Sequence, residues 1–128
     1  MEGSKNKKLM KKTLVLGASL NPSRYSYMAI NRLTSNNYKV VAIGSRKGEV
    51  AGVPISKEKK LFDGIHSITL YLSQERQKEY YEYIISLKPN RVIFNPGTEN
   101  PELYKLLGEN NILAEVACTL VLLGTNQY

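Results

Sequence analysis

Five short runs rich in apolar and β-branched residues recur along the chain: Thr13–Leu16, Lys39–Ile43, Ser67–Leu72, Arg91–Phe94 and about Ala114–Ala117. Amphipathic segments separate them. Strands of four to six residues alternating with helices predict βαβ units and a parallel sheet. The second and fourth runs are nearly continuous in apolar residues, as expected where helices cover both faces. Between the strands, Arg24–Ser35 places Met28, Ala29 and Leu33 on one helical face with Ile30 beside it, and Asn36-Asn37 supplies a stop. Ser73 is the expected N-cap of a helix running to about Leu87, carrying Tyr80, Tyr81, Ile84 and Leu87 and stopped by Pro89. Asn100-Pro101-Glu102 combines a cap, a first-position proline and a first-turn acid, with Leu103, Leu106 and Leu107 as the apolar face. The residues after Cys118 fit either a strand extension or a short helix.

This pattern predicts a single α/β domain, doubly wound and Rossmann-like, with a five-stranded mainly parallel sheet in the order 3-2-1-4-5. The domain is expected over residues 12–128, preceded by a basic tail at 1–11. The connection Gly44–Gly64 is too long for a plain turn, and such connections are often functional. Glu49–Ile55 could add a short strand or hairpin, with Leu61, Phe62 and Ile65 packing as one helical turn. In a doubly wound sheet the ligand belongs at the carboxyl edge where strand order reverses, here expected between strands 1 and 4. The loops after those strands are GASLNPSR and NPGTEN.

Composition narrows the function classes. With 42% hydrophobic and 23% charged residues the chain reads as an ordinary globular domain. One cysteine and one histidine argue against an internal disulfide or a structural zinc site. No apolar run reaches the roughly 18–20 residues of a membrane span, so a cytoplasmic location is the default expectation. The net charge of +7 is uneven: residues 1–12 hold five lysines against one glutamate, while the remainder holds 13 basic and 10 acidic side chains. The lysine-rich end reads as a solubilising tail, with a polyanion-binding arm as the alternative. The body lacks a basic face interleaved with aromatics, so no specific nucleic acid is expected as a partner.

The first βα turn, Gly17-Ala18-Ser19, is not a dinucleotide fingerprint, which requires two further glycines. It can still hold an anion through backbone N–H groups, the hydroxyls of Ser19, Ser23 and Ser26, and the charge of Arg24. The alternative is that Ser and Asn merely cap the helix. After the second strand, where NAD sites usually place an acid, the chain has Gly44-Ser45-Arg46-Lys47. Two cations and a hydroxyl suit a phosphorylated ribose, either the 2′-phosphate of NADP or the 3′-phosphate of coenzyme A, with a solvated basic loop as the alternative.

The runs VLGASLNPSRYSY, GSRKGE with AGVPI, TLYL, FNPGTENPEL and EVACTLVLL together resemble the small stand-alone CoA-binding domain proteins. These are similar to the nucleotide-binding domain of the succinyl-CoA synthetase α-subunit. The resemblance runs from Lys12 to residue 128. It implies that Gly17, Ala18, Ser19, Pro22, Arg24 and Ser26, with Tyr25 between the last two, hold the cofactor's phosphates. It further implies that Ser45, Arg46 and Lys47, following Gly44, handle the adenosine end, and that Asn95, Pro96 and Gly97 lie beside the pantetheine path. The chain departs from many relatives in reading Phe94-Asn95-Pro96-Gly97 for a W/F-x-Q-P-G segment.

Catalytic candidates are few. His66 is expected at the amino end of its strand, away from the functional edge. Cys118 reads as a buried thiol, with contact to the cofactor thiol as the alternative, and Glu99 is explained equally well as a helix cap. The expectation is therefore a non-enzymatic or regulatory protein that binds coenzyme A or an acyl-CoA, with no catalytic residues assigned. An NADP-dependent or acyl-CoA-utilising enzyme is the first alternative, and a polyanion-interaction module the second. A homodimer is left open.

Overall fold

The computed structural model describes residues 11–128. The basic tail predicted over residues 1–11 lies outside the described residues, apart from Lys11. The Lys11 Nζ donates to the main-chain oxygen of Tyr128 at 3.0 Å.

Among the described residues seven strands form one sheet: β1 (Thr13–Ala18), β2 (Val40–Gly44), β3 (Gly48–Val50), β4 (Val53–Ser56), β5 (Ser67–Leu70), β6 (Arg91–Phe94) and β7 (Leu113–Val116). Their order is β3-β4-β2-β1-β5-β6-β7. Every neighbouring pair is parallel except the β3–β4 hairpin. The doubly wound, mainly parallel architecture is as predicted, but the five-strand count and the order 3-2-1-4-5 are not.

The reason lies in the long connection after β2. Ala51 and Gly52 both take positive φ, 51° and 80°, the signature of a two-residue type I′ turn between Val50 and Val53. The returning strand β4 buries Val53 and Ile55 and pairs with β2 through Ile55 and Ser56. It therefore takes the place beyond β2 that the order 3-2-1-4-5 gives to Ser67–Leu72. The connection 57–66 then crosses to the other side of the sheet, and β5 pairs with the free side of β1. The reversal of strand order falls between β1 and β5, not between β1 and the Arg91–Phe94 strand. Within the connection Phe62 and Ile65 pack on the core, but no helical turn forms and Leu61 is 77% exposed.

The helices are α1 (Tyr25–Ser35), α2 (Gln74–Gln77), α3 (Tyr81–Ser86), α4 (Pro101–Glu109) and α5 (Thr119–Gly124), with a 3-10 turn at Lys78–Tyr80 between α2 and α3. The single helix predicted from Ser73 to Leu87 is thus interrupted, although Ser73 does cap it, accepting from Arg76 N. α1 ends on Asn36 with Asn37 at φ 66°, and α4 ends on Asn110 with Asn111 at φ 59°, left-handed turns that asparagine tolerates. Met28, expected inward, is 37% exposed, while Ser26 takes the buried position with Ala29, Ile30 and Leu33. The sequence after Cys118 resolves as helix.

Two apolar layers flank the sheet. Leu14, Leu16, Leu72, Ile84, Phe94, Leu103 and Leu107 belong to one, and Val15, Ile30, Leu33, Ile55, Ile93 and Leu123 to the other. Among the described residues no helix is long and apolar enough to cross a membrane.

Candidate functional site

A cleft of about 770 Å³ opens along the carboxyl edge of the sheet. Its lining comes from the ends of five adjacent strands: Lys57 after β4, Ile43–Arg46 at β2, Gly17–Asn21 and Arg24–Ser26 at β1, Tyr71–Ser73 with Arg76, Glu79 and Tyr80 after β5, and Pro96–Thr98 after β6. At the usual ~4.8 Å interstrand spacing those ends cover about 19 Å.

The β1–α1 turn is built by close backbone approach. Gly17 has φ 96°, and a Cβ there would lie 3.0 Å from the main-chain carbon of Tyr71 and 3.1 Å from the Leu72 side chain. At Gly44 a Cβ would lie 2.2 Å from the carbonyl oxygen of Ala18. The turn is thus pressed onto the ends of β2 and β5 at once. Its polar side chains stitch the turn itself: Ser19 Oγ accepts from Asn21 N at 3.1 Å, and Asn21 Oδ1 accepts from the N–H and hydroxyl of Ser23 at 3.0 and 2.8 Å.

Helix α1 is left uncapped. Its N-cap residue is Arg24, which offers no side-chain acceptor, and no acid stands in the first turn. The N–H groups of Tyr27 and Met28 reach the Arg24 carbonyl, so those of Tyr25 and Ser26 remain without a helical acceptor beside the cleft. Free amides and the positive end of the helix dipole favour an anion there. Four cations also line the cleft, Arg24, Arg46, Lys57 and Arg76, against one acid, Glu79. None of these five is in a salt bridge among the described residues.

The wall beyond β5 is fixed by buried hydrogen bonds. Gln77 Nε2 donates to the carbonyls of Leu72 and Thr98 at 2.9 and 2.8 Å, tying the loop after β5 to the loop after β6. Asn100 Nδ2 donates to Gln77 Oε1 and the Tyr81 hydroxyl, both at 2.8 Å, while Asn100 Oδ1 caps α4. Lys59 Nζ donates to the Glu79 carbonyl and lies 5.0 Å from the Tyr80 ring centroid. On the floor, burial pushes the Tyr71 phenol up to about 12, with hydrogen bonds to Thr69 and Thr119 pulling the other way. It is a protonated, neutral group at physiological pH.

Of the residues singled out in the sequence, Gly17, Ala18, Ser19, Arg24, Tyr25, Ser26, Gly44, Ser45, Arg46, Pro96 and Gly97 meet in this cleft. Pro22, Lys47 and Asn95 are not among its lining. Pro22 and Lys47 are exposed outside it, whereas Asn95 is buried and structural. Asn95 Nδ2 donates to Thr69 Oγ1 and the Leu70 carbonyl, and its Oδ1 accepts from Thr119 N, joining β5, β6 and α5. Lys57, Tyr71, Leu72, Ser73, Arg76, Glu79, Tyr80 and Thr98 were missed. The sequence pattern puts Tyr71 and Leu72 inside the strand Ser67–Leu72 and on the far side of β2, whereas the strand ends at Leu70 and Tyr71-Leu72-Ser73 form the cleft wall after it. His66 lies at the amino end of β5, its Nδ1 2.7 Å from Ser67 Oγ. Cys118 is the half-buried N-cap of α5 and does not line the cleft. Glu99 accepts from Gly97 N at 2.9 Å.

The family model described as a CoA binding domain matches residues 11–124. A crystal structure of an uncharacterised protein is similar at 47% identity and a TM-score of 0.90, over 93% of this chain and 98% of that one. A hypothetical protein from Pyrococcus horikoshii OT3 is similar at 25% identity and a TM-score of 0.76, over 94% of this chain and 87% of that one. Acetyl-coenzyme A synthetase 1 of Ca. Korarchaeum cryptofilum, solved with phosphate and ADP, shares the fold at 15% identity and a TM-score of 0.70. That match takes in 93% of this chain and 28% of the synthetase. No curated protein matches the sequence significantly.

Proposed function

The chain belongs to the CoA-binding domain family, and from that premise we propose that the carboxyl-edge cleft holds coenzyme A or an acyl-CoA across the switch point. In this reading the diphosphate sits on the uncapped start of α1 with Arg24, and the 3′-phosphorylated ribose lies beside Ser45 and Arg46. The pantetheine runs over the β5 end towards Pro96 and Gly97.

The observation that carries the reading is the pairing of an uncapped helix start with four cleft cations unbridged among the described residues. A ligand with phosphates both at its middle and at its ribose end suits that distribution. Arg46 supports coenzyme A over dephospho-CoA, because it lies past β2, where a ribose phosphate falls in a doubly wound site. The family is defined by coenzyme A, and nothing in the comparisons favours NADP.

A binding or regulatory role, not catalysis, is proposed for the same reason that the site reads as a cradle. His66 lies at the opposite edge of the sheet, Cys118 is outside the cleft lining, and Asn95 spends its polar atoms on β5 and α5.

Calorimetric titration with CoA, dephospho-CoA, NADP and NAD tests the reading. Saturable binding of CoA, tighter than of NADP, is expected, and no CoA response up to millimolar concentration refutes it. Arg46→Ala should erase the preference for CoA over dephospho-CoA while leaving dephospho-CoA affinity nearly unchanged.

A further inference from the structure

We propose that Arg76 is a ligand-binding residue that closes the diphosphate position from the wall opposite Arg24, an assignment that rests on the cleft being a CoA site. β1 and β5 are neighbours across the switch point, and the segments that leave them go to opposite faces of the sheet. α1 packs through Ile30 and Leu33 on one apolar layer, while the segment after β5 packs through Leu72 and Ile84 on the other. Arg24 heads the first and Arg76 lies in the second, yet both line the same cleft. Arg24 and Arg76 therefore line the cleft from segments on the two sides of the sheet, after neighbouring strands.

Among the described residues Arg76 forms no salt bridge that would explain it as an ordinary surface charge. The neighbouring ion pair joins Glu75 of α2 to Lys78 of the 3-10 turn at 3.4 Å, and among the described residues Glu79, three residues on, forms no salt bridge with Arg76. Its backbone is nonetheless fixed. Arg76 N donates to the Ser73 hydroxyl, and the next residue, Gln77, is fully buried and bonded to both rim loops. The charge is carried at the rim by an anchor directly beneath it.

The anion class follows from the placement. Arg46 and Arg76 follow strands separated by β1, about 10 Å apart along the sheet edge, so a single ribose phosphate does not account for both. A diphosphate presents non-bridging oxygens on two sides, and planar guanidinium forks on opposite walls match them.

The test is calorimetry of Arg76→Ala with CoA, dephospho-CoA and ADP, beside the native chain. All three ligands should weaken by a common factor of about tenfold or more, the scale of a lost charge-assisted hydrogen bond. The melting temperature should stay close to native, because the side chain is exposed and unbridged among the described residues, and Arg76→Lys should recover part of the affinity. Affinities within twofold of native overturn the assignment. A loss confined to CoA, with dephospho-CoA and ADP unaffected, also overturns it by moving Arg76 to the 3′-phosphate. If the native chain itself fails to bind CoA, the reading of the cleft falls, and the assignment with it.

Discussion

Gly44 makes the tightest approach at the cleft, and its importance is steric. Its φ is not in the left-handed region, so alanine would be tolerated there by the backbone alone. The obstacle is the Ala18 carbonyl, 2.2 Å from where a Cβ would stand, with Ile55 Cγ2 a further 3.1 Å contact. A carbonyl held by the strand-to-helix turn cannot swing away as a side chain would. Gly44→Ala should therefore lower stability by about 1–3 kcal/mol, the range of overpacking substitutions, read as a lower urea midpoint. The same change displaces the β1–α1 turn, so CoA affinity should fall with it. A variant as stable as the native chain would contradict the contact.

At the scale of elements, the Gln77–Asn100 pair decides whether the two rim loops after β5 and β6 keep their separation. Asn100 caps α4 with its oxygen and satisfies the buried Gln77 and the half-buried Tyr81 with its nitrogen. Asn100→Ala removes a cap and strands a buried amide oxygen, costs of about 1 kcal/mol and about 1–3 kcal/mol respectively. Chemical denaturation should show a loss of that combined order, and amide exchange should speed at Thr98 and Leu103. The Asn-Pro-Glu signature made this helix start legible in the sequence, because capping is local. The partners of Asn100 were not legible, because Gln77 lies 23 positions away and meets it only when α2 and α4 share one face of the sheet. The placement of Ser67–Leu72 beyond β2 failed for a related reason. The possible hairpin at Glu49–Ile55 does form, but its returning strand Val53–Ser56 is short, contains a proline and follows the left-handed Ala51-Gly52 turn, so local propensity does not place it beside β2. Its burial against β2 and α1 is what makes it a strand. That misplacement hid the β5 wall, and with it half of the cleft, whereas the β1 turn and the β2 loop were found from residue type alone.

For the whole molecule, the sheet divides its labour between its two ends, with the cleft at the carboxyl edge and a closing network at the amino edge. Arg91 is buried and donates to Ser67 Oγ at 2.7 Å, to Glu115 Oε1 at 3.1 Å and to the Tyr128 main-chain oxygen at 2.9 Å. Its guanidinium also stacks 4.5 Å from the Tyr128 ring centroid, and the Tyr128 hydroxyl lies 2.6 Å from Thr13 Oγ1. The strands β1, β5, β6 and β7 and residue 128 are thereby joined at one point. His66 borders it through Ser67, and burial, then Arg91, then Lys11 hold its pKa below the ordinary 6.5. In the unfolded chain the imidazole takes up its proton near pH 6.5, whereas in the folded chain it does so only at lower pH. Between those two values the unfolded state binds more protons, so stability falls as pH drops below about 6.5 and this contribution is complete above it. The melting temperature should accordingly be flat in this respect from pH 8 to 6.5 and decline towards pH 5.5, above the range where carboxylates titrate. His66→Gln, which keeps a polar group near Ser67 but cannot titrate, should flatten that decline. An unchanged slope in the variant would move the pH dependence away from His66. Because the network lies at the far edge of the sheet from the cleft, CoA affinity measured at pH 7 should be the same in the variant as in the native chain.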